Sequence, residues 1–204
     1  MSNEYFDKMA ASWDENPGRR AIPMAVAAAI GETVKLDRTM TVLDYGCGTG
    51  LLSFLLAGKV GQVVAADSSE GMIEQVRKKI AEQGVKNVRA IRFDVTCDKA
   101  PVERYDALTS SMAMHHIEAI HEALHGLTNL LKPGGWLAVA DLCSEDGSFH
   151  QNQDMKIPHK GFDAQELVEY LKSIEMGQVS WRVVHKVERG GREYPVFCVF
   201  ARKS

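Results

Sequence analysis

Residues Thr41–Gly50, TVLDYGCGTG, decide the fold. Val42 and Leu43 start an apolar run that passes through Asp44 into glycines at alternate positions, Gly46, Gly48 and Gly50. A helical pattern of Leu51, Leu52, Phe54 and Leu55 follows at once. Strand, glycine turn and helix, in that order, open a nucleotide crevice at the carboxyl end of the first strand of a doubly wound sheet. Glycine suits such a turn because it takes positive φ and lets a ligand approach the backbone closely. The expected class is α/β, a Rossmann-like three-layer sandwich.

The spacing narrows the nucleotide. A dinucleotide fingerprint reads G-x-G-x-x-G/A, its third glycine permitting close helix–strand packing under a pyrophosphate. Counted from Gly46, that third slot holds Leu51. A P-loop needs Gly-Lys-Ser/Thr, and no lysine occurs between Lys35 and Lys59. The turn is open but lacks a phosphate clamp. It suits a nucleoside whose 5′ substituent is not a phosphate.

The D-x-G-x-G-x-G spacing of Asp44, Gly46, Gly48 and Gly50 resembles the signature loop of the class I S-adenosylmethionine-dependent methyltransferases. The resemblance implies that this loop, Cys47 included, wraps the methionine part of the cofactor and that Asp44 orients its ammonium group. Asp67 ends a second apolar run, Val63 to Ala66, about 20 residues further on, the separation at which an acidic residue reaches ribose hydroxyls. Ser68 or Ser69 is placed to cap the next helix, whose apolar face carries Met72, Ile73 and Val76. By resemblance Ser68 and Met72 lie at the cofactor, Met72 near the adenine. A third strand is read over Val88–Val95. There the resemblance implies that Asp94 accepts from the adenine amino group and that the Val95 N–H meets a ring nitrogen.

Further segments extend the likeness. Tyr105–Ser111 resembles the family's fourth strand, with Ser111 at its cofactor end. Leu130–Leu137 resembles its helix end, turn and fifth strand, Pro133 and Gly134 stopping the helix. Two late strands, Gln178–Glu188 and Tyr194–Ala201, flank Gly190-Gly191, a hairpin signal. The resemblance covers residues 37–204 and implies a seven-stranded, mostly parallel sheet with a C-terminal antiparallel hairpin.

A chain of 204 residues with this organisation is expected to form one domain. Residues 1–36 read as a helical lid, 37–143 as the cofactor-binding half, and 144–204 as a substrate-side loop, helix and hairpin. The segment 144–162 is polar and reads as a long loop. Net charge is −3 without any basic run, so no nucleic-acid footprint is evident. No stretch has the length and apolarity of a membrane span, and the polar, acidic N-terminus does not resemble a secretion signal. The four cysteines show no paired spacing and read as reduced thiols of a cytoplasmic protein, expected to be a monomer or homodimer.

The expected chemistry is a displacement at a sulfonium methyl, with acceptor, carbon and sulfur in line. Positioning supplies most of the acceleration, and a hydroxyl acceptor adds the need for a base near neutral pH. His115 and His116 follow the fourth strand and are the catalytic candidates. His150 and His159 lie in the loop after the fifth strand, and His159-Lys160-Gly161-Phe162 resembles an H-x-G-F stretch before the family's late helix, which makes His159 a substrate-side candidate. Tyr5, Phe6, Met9 and Trp13 form a helical stripe, and Tyr5 and Trp13 are expected to line the acceptor pocket. Arg19 and Arg20 are within reach of the methionine carboxylate by the same likeness. His121 and His125, four apart, read as a solvated helical face, so no metal site is expected.

Several branches are disfavoured. Ser110-Ser111-Met112-Ala113 lacks the Asn/Asp-Pro-Pro-aromatic loop of amino-directed enzymes. No cysteine follows a proline, as cytosine C5 chemistry needs, and only Asp141 stands near the strand end where catechol-type enzymes cluster carboxylates. The expectation is a methyltransferase of the small-molecule, quinone-biosynthesis-like branch. The alternatives are a protein or nucleic-acid methyltransferase, or a non-catalytic cofactor-binding module.

Overall fold

The sheet is built on β1 (Thr41–Tyr45), which pairs in parallel with β2 (Gln62–Asp67) on one side and β4 (Tyr105–Ser111) on the other. The computed structural model describes residues 3–150 and 157–204. Beyond β2 lies β3 (Val88–Arg92), and beyond β4 lies β5 (Leu131–Leu142), both parallel to their neighbours. The hairpin of β6 (Met176–Arg189) and β7 (Arg192–Lys203) completes seven strands in the order β3-β2-β1-β4-β5-β7-β6, with β7 antiparallel to β5. Strand order therefore reverses between β1 and β4, and the crevice at such a switch point is where open α/β sheets bind ligands.

The central strands are apolar on both faces because helices cover both. Val63, Val64, Ala65 and Ala66 are all fully buried. Val42 packs with Val26 and Ile30 of α2 (Ala21–Thr33), Leu52 and Leu56 of α3 (Leu51–Ala57) and Val76 of α4 (Glu70–Gln83). Leu43, one residue on, packs on the opposite face with Leu124 and Leu127 of α5 (Ile120–Thr128) and Leu167 and Leu171 of α6 (Ala164–Ser173). Ser69 caps α4 by accepting from the Met72 N–H at 3.1 Å, and Asp163 caps α6 by accepting from the Gln165 N–H at 2.8 Å.

Several boundaries differ from the sequence reading, β7 among them, which extends two residues beyond Tyr194–Ala201 at each end. β3 ends at Arg92, so Phe93, Asp94 and Val95 lie beyond it. α5 closes at Thr128 rather than at Pro133-Gly134. Lys203 Nζ donates to the Thr128 and Leu131 carbonyls there, at 2.9 and 3.1 Å. Pro133 and Gly134 instead fall within the span of β5, where its pairing with β4 shifts between Tyr105 and Ala107. β6 begins two residues early, at Met176. Gly190 and Gly191 both have positive φ (59° and 76°), as a two-residue hairpin turn matched to strand twist requires.

The N-terminal segment lies outside the sheet. α1 (Asn3–Met9) runs into one 3₁₀ stretch (Ala10–Glu15) and then a second (Pro17–Arg20). Within the expected loop at 144–162, Phe162 bridges to Cys143, while 151–156 lie outside the described residues. No described helix is long and apolar enough to cross a membrane.

Candidate functional site

A cavity of about 720 Å³ opens at the carboxyl ends of β1, β2 and β4. Its floor is the glycine loop. Gly46 has φ 67°, and a Cβ added there would lie 2.3 Å from the Ala113 Cβ. Gly48 has φ 54° and no atom within 4 Å of an added Cβ, so its backbone faces open space. The Cys47 N–H donates to the Ala66 carbonyl (3.0 Å) and the Gly48 N–H to Asp67 Oδ2 (2.8 Å), which ties the loop to the end of β2. Cys47 lines the cavity, and burial pushes its thiol well above the usual range. Gly50 is not on the wall; it starts α3, with φ 84°.

Asp44 and Asp67 both reach the cavity wall. Asp44 is buried and accepts from Ser53 Oγ at 2.5 Å. Burial, reinforced by the nearby Asp67 carboxylate, raises its carboxyl to about 7. Burial also raises Asp67, against the opposing pull of its backbone bonds; its second oxygen accepts from the Ser69 N–H at 2.9 Å. Ser68, Met72 and Ser111 line the same space.

Asp94 and Val95 are placed differently from expectation and are not on the wall. Asp94 Oδ1 accepts locally from Thr96 N–H and Oγ1 at 2.9 and 2.6 Å. The Val95 N–H donates to the Tyr45 hydroxyl at 3.2 Å. Tyr45, which the sequence did not single out, takes the wall position there and packs edge-on against Phe93.

The roof comes from the N-terminus. Tyr5, Phe6 and Trp13 line the cavity, and Phe6 meets the His116 ring edge-on with centroids 5.1 Å apart. Arg19 lies on the wall with its guanidinium 3.7 Å from the Trp13 ring centre and donates to the Trp13 carbonyl at 2.7 Å. Burial lowers its pKa. Arg20 is not on the wall. Polar contacts latch this roof. Asp7 Oδ1 accepts from Ser69 Oγ (2.5 Å) and the Gly71 N–H (2.9 Å), at the positive end of α4. Asp14 accepts from Thr49 Oγ1 at 2.6 Å and pairs with Lys79. Lys186, Glu188 and Arg189 of β6 and Phe149 close the far side.

His115 and His116 lie in a short 3₁₀ turn after β4 (Met114–His116), preceded by Met112 at φ 56°. His116 is on the wall; burial, with His115 and His150 close by, lowers its pKa to about 2. His115 is 1% exposed and sits behind it. Asp141 Oδ1 accepts from His115 Nδ1 at 2.6 Å and Oδ2 from the His115 N–H at 3.1 Å. His150, also on the wall, is lowered to about 4, chiefly by burial. Its ring lies 4.9 Å from that of His115 and 5.9 Å from that of His116, centre to centre. The sequence reading missed this grouping and the Asp141–His115 pair.

His159 does not line the cavity. Its Nε2 bonds the Ile117 and Glu118 carbonyls at 2.9 and 3.2 Å, and its N–H donates to the His115 carbonyl at 3.3 Å. It braces the histidine turn from outside the cavity, away from where a substrate-side candidate was expected. His121 stacks on Tyr170.

A methyltransferase-domain family model matches residues 42–135. An uncharacterized methyltransferase of Schizosaccharomyces pombe is 32% identical over 151 residues, 67% of this chain and 53% of that protein. A demethylmenaquinone methyltransferase of Clavibacter sepedonicus is 31% identical over 146 residues, 67% of this chain and 56% of the relative. The chain thus spans about half the length of these relatives. The crystal structure of an S-adenosylmethionine-dependent methyltransferase from Aquifex aeolicus matches the fold with a TM-score of 0.70, at 23% identity and covering 100% of both chains. With the glycine loop, the switch-point cavity and the antiparallel β7 in place, the chain belongs to the class I S-adenosylmethionine-dependent methyltransferases.

Proposed function

We propose that the chain transfers a methyl group from S-adenosylmethionine to a small-molecule acceptor held beneath the N-terminal roof. One observation carries the reading: a single cavity is floored by the glycine loop and roofed by Tyr5, Phe6 and Trp13, with His116 between them. Its residues suit this cofactor. The Gly48 backbone faces open space, the buried Asp44 and half-buried Asp67 carboxylates stand on the wall, and the loop carries no lysine clamp for phosphate. When bound, the cofactor supplies a sulfonium methyl already activated for displacement. The chain's part is then to bind, align and exclude water. Asp44 orients the ammonium, Asp67 holds the ribose hydroxyls, and Arg19 faces the methionine carboxylate. His116 orients the acceptor. The similarity to a demethylmenaquinone methyltransferase supports a small-molecule acceptor.

The test is calorimetry followed by a transfer assay. Saturable binding of S-adenosylmethionine and S-adenosylhomocysteine, no binding of NAD, and methylation within a panel of hydroxylated and quinol-type molecules are expected. Methyl incorporation into protein or nucleic acid alone would replace the small-molecule reading. Binding without transfer to any of the three would make the chain a cofactor-binding module.

Asp44 makes cofactor binding depend on pH. In the free protein its carboxyl is raised to about 7, so below neutrality it carries a proton. A cationic ammonium needs the carboxylate, so affinity is lost as pH falls through 7. The association constant should rise up to about tenfold per unit between pH 5 and 7 and then level off. Folding without cofactor carries the opposite sign. A raised carboxyl contributes stability that is fully present below its ordinary value of 3.8 and lost as pH rises through 7. Calorimetry and thermal melts from pH 5 to 8 check both trends, and Asp44→Asn should flatten each.

A further inference from the structure

Two separate segments bring three imidazoles together: His115 and His116 from the turn after β4, and His150 from the chain beyond β5. One ring nitrogen of each lies within 4.8 Å of the other two. We propose that these histidines form a binding site for one divalent transition-metal ion of the zinc type, with Asp141 as the carboxylate that orients His115.

The argument starts at Asp141. Its Oδ1 already accepts from the Leu142 N–H at 2.7 Å and its Oδ2 from the His115 N–H at 3.1 Å. A carboxylate so placed is an acceptor, so the proton between it and the ring belongs to His115 Nδ1. His115 Nε2 then presents a lone pair. That nitrogen is buried and has no hydrogen-bond partner among the described residues. A buried acceptor left unpaired is unfavourable, and a bound cation would satisfy it. The carboxylate–histidine arrangement is also the one that commonly fixes a metal-ligating imidazole.

Neither the His116 ring nor the His150 ring has a hydrogen-bond partner among the described residues, so both keep a nitrogen to give. Three imidazoles without a carboxylate ligand favour zinc-type ions over magnesium or calcium, which take oxygen donors. Zinc–nitrogen bonds of about 2.0–2.1 Å put tetrahedral ligand nitrogens about 3.3 Å apart, so the trio closes by at most about 1.5 Å. His150 comes from a different segment than the other two, so its ring is the one whose approach to them is not fixed by the turn after β4. His116 and His150 both line the cavity, so the remaining coordination position faces it. If the proposed methyl transfer holds, that position takes an acceptor oxygen; the site itself does not depend on that reading.

The experiment uses the full chain without a histidine tag, stripped by a chelator. Cobalt(II) is titrated and read by its visible absorption, and zinc by calorimetry and thermal melting. One equivalent per chain, a d–d spectrum of tetrahedral or five-coordinate cobalt, and a raised melting temperature with zinc are expected. Asp141→Asn should weaken binding roughly 10–100-fold, and His116→Ala or His150→Ala should weaken it further. His121→Ala/His125→Ala should bind as the parent does. Calorimetry with S-adenosylmethionine on His150→Ala verifies the fold and separates failure of the metal site from failure of the methyl-transfer reading. No stoichiometric uptake, uptake that survives His150→Ala, or uptake lost with His121 and His125 would overturn the proposal.

Discussion

Gly46→Ala is expected to lower stability by about 2–5 kcal/mol and to abolish cofactor binding. Two effects add. Alanine at φ 67° sits in the left-handed region, at a cost of about 1–2 kcal/mol. Its Cβ would also fall 2.3 Å from the Ala113 Cβ, and relieving such overpacking costs about 1–3 kcal/mol more. Ala113 leads into the turn that carries His115 and His116, so the strain enters the site itself. Urea unfolding of Gly46→Ala, Ala113→Gly and the double variant separates the terms. The double variant should recover the overpacking part and keep the backbone part. If it is no more stable than Gly46→Ala, the contact with Ala113 is not the cause. Gly48→Ala is the contrast: nothing crowds its Cβ, so it should lose only about 1–2 kcal/mol and fold, yet obstruct the ligand.

Asp67→Ala is expected to reduce S-adenosylmethionine affinity at least tenfold. The Asp67 carboxylate holds the Gly48 and Ser69 N–H groups with one oxygen each, and its remaining lone pairs are available toward the cavity. Hydrogen bonds to a charged group contribute about 1.5–3 kcal/mol each, so loss of even one to the ribose exceeds a factor of ten. The melting temperature should fall as well, because two backbone donors lose their acceptor. Asp67→Asn should lie between the parent and Asp67→Ala. Calorimetry decides: affinity unchanged in Asp67→Ala would mean that the ribose lies elsewhere.

The order of strands, the glycine loop and the two carboxylates that reach the wall were legible because local rules govern them. An apolar run ends in a turn, and the residue at the strand end faces the crevice. The same logic did not foresee the local contacts at Asp94 and Val95. Asp94 Oδ1 accepts from Thr96, and the Val95 N–H donates to the Tyr45 hydroxyl, a contact that joins residues 50 apart in sequence. The outward turn of His159 was not legible either, because a loop has no periodicity to say which way a ring turns. The Asp141–His115 pair depends on register. β4 and β5 align Ser111 with Ala140, which sets the two strand ends side by side. That alignment cannot be read from either segment alone. His150 joins them only because the chain beyond β5 folds back over the cavity.

The latch of the roof has a consequence for how this protein can change. α1 has no buried residue, and the following 3₁₀ stretch buries only Ala10. The segment is held by polar contacts of Asn3, Asp7 and Asp14 rather than by buried side chains, while its aromatic rings line the cavity. On the proposed reading, acceptor preference and fold stability are written in different residues. Substituting Tyr5, Phe6 or Trp13 can reshape the pocket with little loss from the sheet. The roof is the part of the molecule through which descendants of this scaffold, natural or designed, can drift toward new acceptors while the cofactor floor stays fixed.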